Sequence, residues 1–112
     1  MLSAVPLAPL DLQYTNLTSS SIQVTWSPPM NINGIFQRYI IMITRLNPQN
    51  SVNQTLDTFD VNVTVFNITG LEEFERYTIV VYGETDAGVG PGSDPLDVLT
   101  DEGGMISFVI SF

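Results

Sequence analysis

Apolar residues recur at every second position in short runs along the chain, and Gly, Pro, Asn and Asp fill the gaps between the runs. Ser21-Ile22-Gln23-Val24-Thr25-Trp26 alternates cleanly, with Ile22, Val24 and Trp26 on one face and Gln23 and Thr25 on the other. Pro28-Pro29 stops that strand. Asn33-Gly34 then turns the chain into residues 35–46, a run whose length and β-branched content favour a strand over a helix. Beyond Asn47-Pro48, the polar stretch 49–60 holds one weak alternation and predicts a short edge strand. Residues 61–68 predict the next strand, 76–84 the last long one, and 94–100 a shorter one after a glycine-rich loop at 87–92. With residues 10–14, the pattern predicts seven strands, no helix and no internal repeat: an all-β chain with the tempo of an antiparallel sandwich.

A length of 112 residues is one domain's worth, and 44% hydrophobic against 13% charged residues is enough to bury a core. Residues 1–9 contain Pro6 and Pro9 and no basic start, and read as a linker; residues 10–102 form the domain. Residues 103–112 read as an apolar tail outside it, set off by Gly103-Gly104 and far shorter than the roughly 20 residues a membrane helix needs. Three arginines and no lysine against 12 carboxylates give a net charge of −9, which excludes nucleic acid and anionic membrane surfaces as partners. With no His and no Cys, the chain lacks an imidazole or thiolate for catalysis, a disulfide and the common zinc ligands. No catalytic, cofactor-binding or metal-binding residue is assigned, and no cofactor is expected.

At this point several anchors combine. Ser21-Ile22-x-Val24-x-Trp26-x-Pro28-Pro29 followed by Asn33-Gly34 and by Tyr39-x-Ile41-x-Ile43 resembles the first half of a fibronectin type III domain. Ile68-Thr69-Gly70-Leu71, Tyr77 six residues on, Ile79, Val81 and Gly83, then Ala87-Gly88-x-Gly90-Pro91 and Ser93-x-Pro95 resemble its second half. The resemblance covers residues 6–102 and implies a seven-stranded antiparallel immunoglobulin-like β-sandwich. It implies that Trp26 lies between the sheets opposite Tyr39. It also implies that Tyr77 forms a tyrosine corner, its hydroxyl bonded to backbone near Leu71. Gly34 and Gly70 suit turns of positive φ, and Gly83 a small core-facing position. The loop at 85–90 lacks the Arg-Gly-Asp tripeptide through which some family members bind integrins.

Four Asn-x-Thr sequons, at Asn16, Asn53, Asn62 and Asn67, are glycosylation candidates. Parity places Asn67 toward solvent if Phe66 and Ile68 face the core, and leaves Asn62 in doubt. The carboxylates of 72–75 and of 94–102 match no converging calcium loop and read as solvated faces. If Tyr39, Ile41, Ile43, Ile79 and Val81 point inward, then Ile40, Met42, Val80, Tyr82 and Leu99 form an apolar outer face, a candidate interface.

Together these features predict a non-catalytic repeat in the extracellular part of a cell-surface, single-pass membrane receptor, most similar to the repeats of receptor-type protein tyrosine phosphatases. Any phosphatase chemistry would belong to another domain. It would act as a spacer and protein-interaction module, with neighbouring fibronectin type III repeats or a protein ligand as partners. The alternative is an adhesion or dimerisation module that self-associates weakly through the apolar face.

Overall fold

The computed structural model describes residues 4–46 and 52–102, which fold into eight strands and no helix. They are β1 Leu10–Thr15, β2 Ile22–Ser27, β3 Phe36–Arg45, β4 Val52–Thr58, β5 Val65–Ile68, β6 Arg76–Thr85, β7 Gly88–Gly92 and β8 Leu96–Leu99. One antiparallel sheet has the order β1-β2-β5; the other runs β4-β3-β6-β7, with β8 also paired to β6. β7 and β8 share one neighbour and make a single seventh strand broken in the middle. At the break, the Ser93 hydroxyl accepts a hydrogen bond from the Val81 N–H at 3.0 Å, taking the place of a backbone carbonyl. Pro95 follows without an N–H to continue the ladder.

The core follows from period two. β2 turns Ile22, Val24 and Trp26 inward, β3 contributes Tyr39, Ile41 and Ile43, and β6 contributes Tyr77, Ile79 and Val81. Ile68, Leu71 and Val98 complete the buried cluster, in which each fully buried aliphatic side chain contributes about 1.5–3 kcal/mol of transfer free energy. The Trp26 and Tyr39 rings meet edge to face, 5.2 Å between centroids, and Phe36 meets Tyr39 at 4.8 Å. The Tyr39 hydroxyl donates to the Val61 carbonyl at 3.1 Å. The Trp26 indole N–H lies near that hydroxyl but meets no acceptor at hydrogen-bond geometry.

The chain departs from the sequence reading in four places. Residues 4–9, expected as a linker, are packed: Pro6 and Pro9 are fully buried, the Ala4 and Leu7 N–H groups donate to the carbonyls of Asn33 and Asn31, and the Thr85 hydroxyl donates to Ala4 O. Pro6 fills the space that two missing side chains leave, since a Cβ on Gly83 would come within 3.1 Å of its ring and one on Gly90 would strike its carbonyl. The expected loop at 87–92 is mostly strand β7, because a two-residue turn at Asp86-Ala87 suffices to pair Thr85 with Gly88. The expected strand 61–68 shrinks to β5, because Asp60 caps a turn by accepting from the Asn62 and Val63 N–H groups. Positive φ falls on Asn33 (φ 67) and not on Gly34, whose missing Cβ instead leaves room for Asp86 Oδ1 and Ala4 O. Gly70 does adopt positive φ.

Tyr77 forms the corner that the resemblance implies: its hydroxyl accepts the Glu72 N–H at 2.7 Å. A second clasp, absent from the sequence reading, closes the same loop. The buried Thr100 hydroxyl donates to Glu72 O at 2.7 Å and accepts from the Glu75 N–H at 2.9 Å. It thereby ties the β5–β6 connection to the end of β8.

Replacing Thr100 by the isosteric Val strands both Glu75 N–H and Glu72 O, and is expected to lower unfolding free energy in urea by about 1–3 kcal/mol. A loss below about 0.5 kcal/mol would remove the clasp from the account of stability.

Burial pushes the Tyr39 hydroxyl above the ordinary phenol value of 10.0, the neighbouring indole opposing the shift. Unfolded, Tyr39 releases its proton near pH 10.0; folded, it retains it. Stability is therefore held below that pH and lost as pH rises through the folded value, with a slope of at most about 1.4 kcal/mol per pH unit. Between pH 9 and 11.5 the melting temperature of Tyr39→Phe is expected to fall less steeply than that of the unmodified protein; parallel curves would contradict this.

Candidate functional site

The outer face of the larger sheet follows from the pairing of β3 with β6. Ile40 lies opposite Tyr82 and Met42 opposite Val80, so the four side chains form a two-by-two block on the two central strands. All four are half-buried, because they pack on one another and on their neighbours. Gly92 faces Tyr82 across the β6–β7 pairing. A Cβ there would come within 2.6 Å of Val80 Cγ1 and 2.7 Å of Tyr82 Cε2, so the tyrosine ring lies against bare backbone. A charged cluster borders the block at one end: Arg38 bridges Asp57 on β4 at 3.1 Å and Glu84 on β6. Glu84 first, then Asp57, hold the guanidinium charge and raise its pKa. At the other end the Thr78 hydroxyl donates to Asp97 Oδ1 at 3.0 Å.

Leu99 does not join the block. Its parity is right, but the β6–β8 register sets it opposite Arg76, with the Thr78–Asp97 pair between it and Val80. The structure thus brings together four of the five residues read as an interface.

All four sequon asparagines are exposed. Asn67 lies on β5 opposite Gln23, and Asn16 follows β1 in a left-handed conformation (φ 52), its Nδ2 donating to Gln23 Oε1 at 2.8 Å. The two thus flank one shallow depression on the smaller sheet, lined also by Thr18 and Thr69. Asn53 lies on β4 opposite Thr44, and Asn62 sits in the turn after Asp60 rather than on a strand. Trp26, Tyr39, Leu71 and Tyr77 are 4%, 0%, 8% and 6% exposed and so belong to the core. Among the described residues no three carboxylates gather where an ion could bind. The proposed tail, residues 103–112, lies outside the described residues.

Sequence reasoning passed over a group of exposed apolar residues at one end of the sandwich. Met30, Ile35 and Phe59 are 80%, 67% and 74% exposed. Met30 and Phe59 stand beside turns, and Ile35 heads the 35–46 run but falls one residue before β3, so periodicity does not mark the three as surface. The single loop between β2 and β3 carries both Met30 and Ile35 and receives the N-terminal segment through Asn31 and Asn33.

Comparison with known proteins places this geometry. The family model of the fibronectin type III domain matches residues 7–99. The chain is 35% identical over 95 residues to Phosphatidylinositol phosphatase PTPRQ of Rattus norvegicus, covering 85% of this chain and 4% of that protein. It is 35% identical over 103 residues to Tyrosine-protein phosphatase Lar of Drosophila melanogaster, covering 88% of this chain and 5% of that protein. The crystal structure of the FN5 domain of Drosophila Lar superposes with a TM-score of 0.72 at 34% identity, over 88% of this chain and 100% of that one. The chain therefore spans a small fraction of the full-length relatives and the whole of one solved domain.

Substituting Gly92→Ala is expected to push the Tyr82 ring off the β7 backbone and to destabilise the fold by about 1–3 kcal/mol. Ring-proton chemical shifts of Tyr82 should move while those of Tyr39 and Tyr77 hold; an unchanged Tyr82 spectrum would contradict the packing.

Proposed function

Because the chain belongs to the fibronectin type III family, we propose that it is a non-catalytic repeat in the extracellular part of a cell-surface, single-pass receptor of the receptor tyrosine phosphatase kind. It spaces its neighbours and offers them and protein ligands a contact surface. Domains of this family are generally non-catalytic, and phosphatase chemistry would reside in another domain of the parent. Similar chains belong to receptor phosphatases and adhesion proteins.

The observation that carries the spacer reading is the placement of the domain's two ends. Ala4 is held at the turn end of β6, by Thr85 and Asn33, whereas Asp101 is held at the start of β6, by Thr18 and Phe74. The 10 residues of β6 lie between them, so the chain enters and leaves at poles about 30 Å apart. Both poles are fastened by hydrogen bonds, which lets the domain transmit orientation and tension. The exposed Met30, Ile35 and Phe59 at the entry pole and Phe74 at the exit pole are the apolar surface that adjoining repeats would cover.

A second reading, adhesion or dimerisation, is favoured by the Ile40, Met42, Val80 and Tyr82 block. A charge of −9 on each copy opposes self-association, so this contact would be weak. Sedimentation equilibrium on the glycosylated protein secreted from animal cells separates the two. The spacer reading expects a monomer, both for the unmodified chain and for Met42→Glu/Tyr82→Glu. Association abolished in the double variant, at an unchanged melting temperature, would put the adhesion module in its place.

A further inference from the structure

We propose that N-glycans on Asn16, Asn53 and Asn67 guard the edge strands of the two sheets against strand addition by other copies, in place of the basic residues that usually do so. The proposal rests on the extracellular placement proposed above. An edge strand presents a row of unpaired N–H and C=O groups, and proteins commonly blunt it with lysine, proline, a bulge or a cover. Among the described residues the edges are β1 and β5 in the smaller sheet and β4 and the broken β7/β8 strand in the larger.

The chain contains no lysine, and its three arginines, Arg38, Arg45 and Arg76, all lie on the central strands β3 and β6. No edge strand carries a basic residue. Three of the four sequons fall on edges instead: Asn53 within β4, Asn67 within β5, and Asn16 directly after β1. The fourth edge lacks a sequon but carries Pro91 in β7 and the break ending in Pro95, both without an N–H to offer. β5, with the sequence VFNI, has no charge at all, and Asn67 is its one polar residue. β1 has a further safeguard, a register shift at Asp11, whose φ is 55.

The modification needs a lipid-linked oligosaccharide diphosphate as donor. The asparagine Nδ2 forms a bond to the anomeric carbon, that carbon's bond to the diphosphate oxygen breaks, the amide proton passes to base, and the lipid diphosphate leaves. The four asparagines are exposed in the folded chain, so the fold accommodates the product at each. A glycan on an edge strand sweeps the volume that an incoming strand would occupy. Asn62, in a turn, blocks no edge and serves as the internal control.

The test uses the full chain behind a secretion leader in animal cells, with occupancy at each site read by mass spectrometry. Self-association is then measured by sedimentation for Asn16→Gln, Asn53→Gln, Asn62→Gln and Asn67→Gln. Enzymatic deglycosylation of the folded protein provides a form whose folding the substitutions cannot disturb. Loss of the Asn67 glycan is expected to raise the association constant most, by at least about tenfold. Loss at Asn53 is expected to raise it less, at Asn16 least because of the bulge, and at Asn62 not at all. In the associated species, amide exchange of residues 65–68 should slow. An equal rise for Asn62→Gln, or no rise after deglycosylation, overturns the proposal while leaving the extracellular reading intact. Empty edge sites in the secreted protein also overturn it, and an empty Asn62 beside them would remove the glycoprotein reading as well.

Discussion

The register between β3 and β6 is the constraint on which the rest of the structure depends. Nine residue pairs fix it, from Phe36 opposite Thr85 to Arg45 opposite Tyr77. Because side chains alternate, a slip of β3 by one residue would carry Tyr39, Ile41 and Ile43 out of the core and bring Ile40 and Met42 into it, and a slip of β6 would exchange Ile79 and Val81 for Val80 and Tyr82 in the same way. Both sets are apolar, so hydrophobicity alone discriminates weakly between the registers. The discrimination comes from shape and from polar partners. Tyr39 fits against Trp26 and Phe36 and reaches the Val61 carbonyl, and Gly83 leaves the space that Pro6 fills. On the outer face, Arg38 meets Glu84 and Asp57 only in the observed pairing.

This division explains what could be read in the sequence. Alternation in β2, β3 and β6 exposes the period directly, and the anchors Trp26 and Tyr77 fix which face is inward; the fibronectin type III sandwich followed from them. Parity assigns a face but not a position along a strand, which is why Leu99 has the parity of the block yet lies opposite Arg76, beyond the Thr78–Asp97 pair. Elements built without side-chain alternation were harder to see. β7 is Gly88-Val89-Gly90-Pro91-Gly92, a composition that reads as loop, and it is a strand because the tight turn at Asp86-Ala87 brings it alongside β6. Thr100 looks like any strand-end threonine until the β5–β6 loop folds onto its hydroxyl. The packing of Pro6 depends on glycines more than 70 residues away, a contact that no local pattern encodes. The sequons were legible as tripeptides, but their common relation to the sheet edges required the strand order.

The N-terminal segment joins the fold to its setting. Prolines in a tether usually limit flexibility; here Pro6 and Pro9 are buried and the intervening backbone bonds to the loop after β2. Such a segment cannot swing freely. Whatever precedes it in a longer chain would have its direction set by the same contacts that complete the core, and the exposed Met30, Ile35 and Phe59 stand at the end where that chain arrives. Tension applied at Ala4 and Asp101 would load β6 along its length, and β6 is the strand with the most partners: β3 on one side, β7 and β8 on the other.

A lysine-free, acidic surface narrows how a sheet protein can remain single. Net charge of −9 keeps copies apart at long range, but within a Debye length of about 8 Å at physiological salt the short-range attraction of bare strand edges and apolar faces decides. The two kinds of surface call for different remedies. A face can be made less adhesive by packing its side chains on one another, as Tyr82 does over Gly92 and beside Val80. An edge cannot, because its attraction resides in the backbone, and it must be broken, bulged or covered. The β7/β8 edge is broken, β1 is bulged, and β4 and β5 have neither feature among the described residues, which is where two of the sequons lie. Because Asn53 pairs with Thr44, on the outward side of β3 with Ile40 and Met42, a glycan there would border the Ile40, Met42, Val80 and Tyr82 block along β4, so a partner that docks on this face would have to approach it from the side of the broken strand.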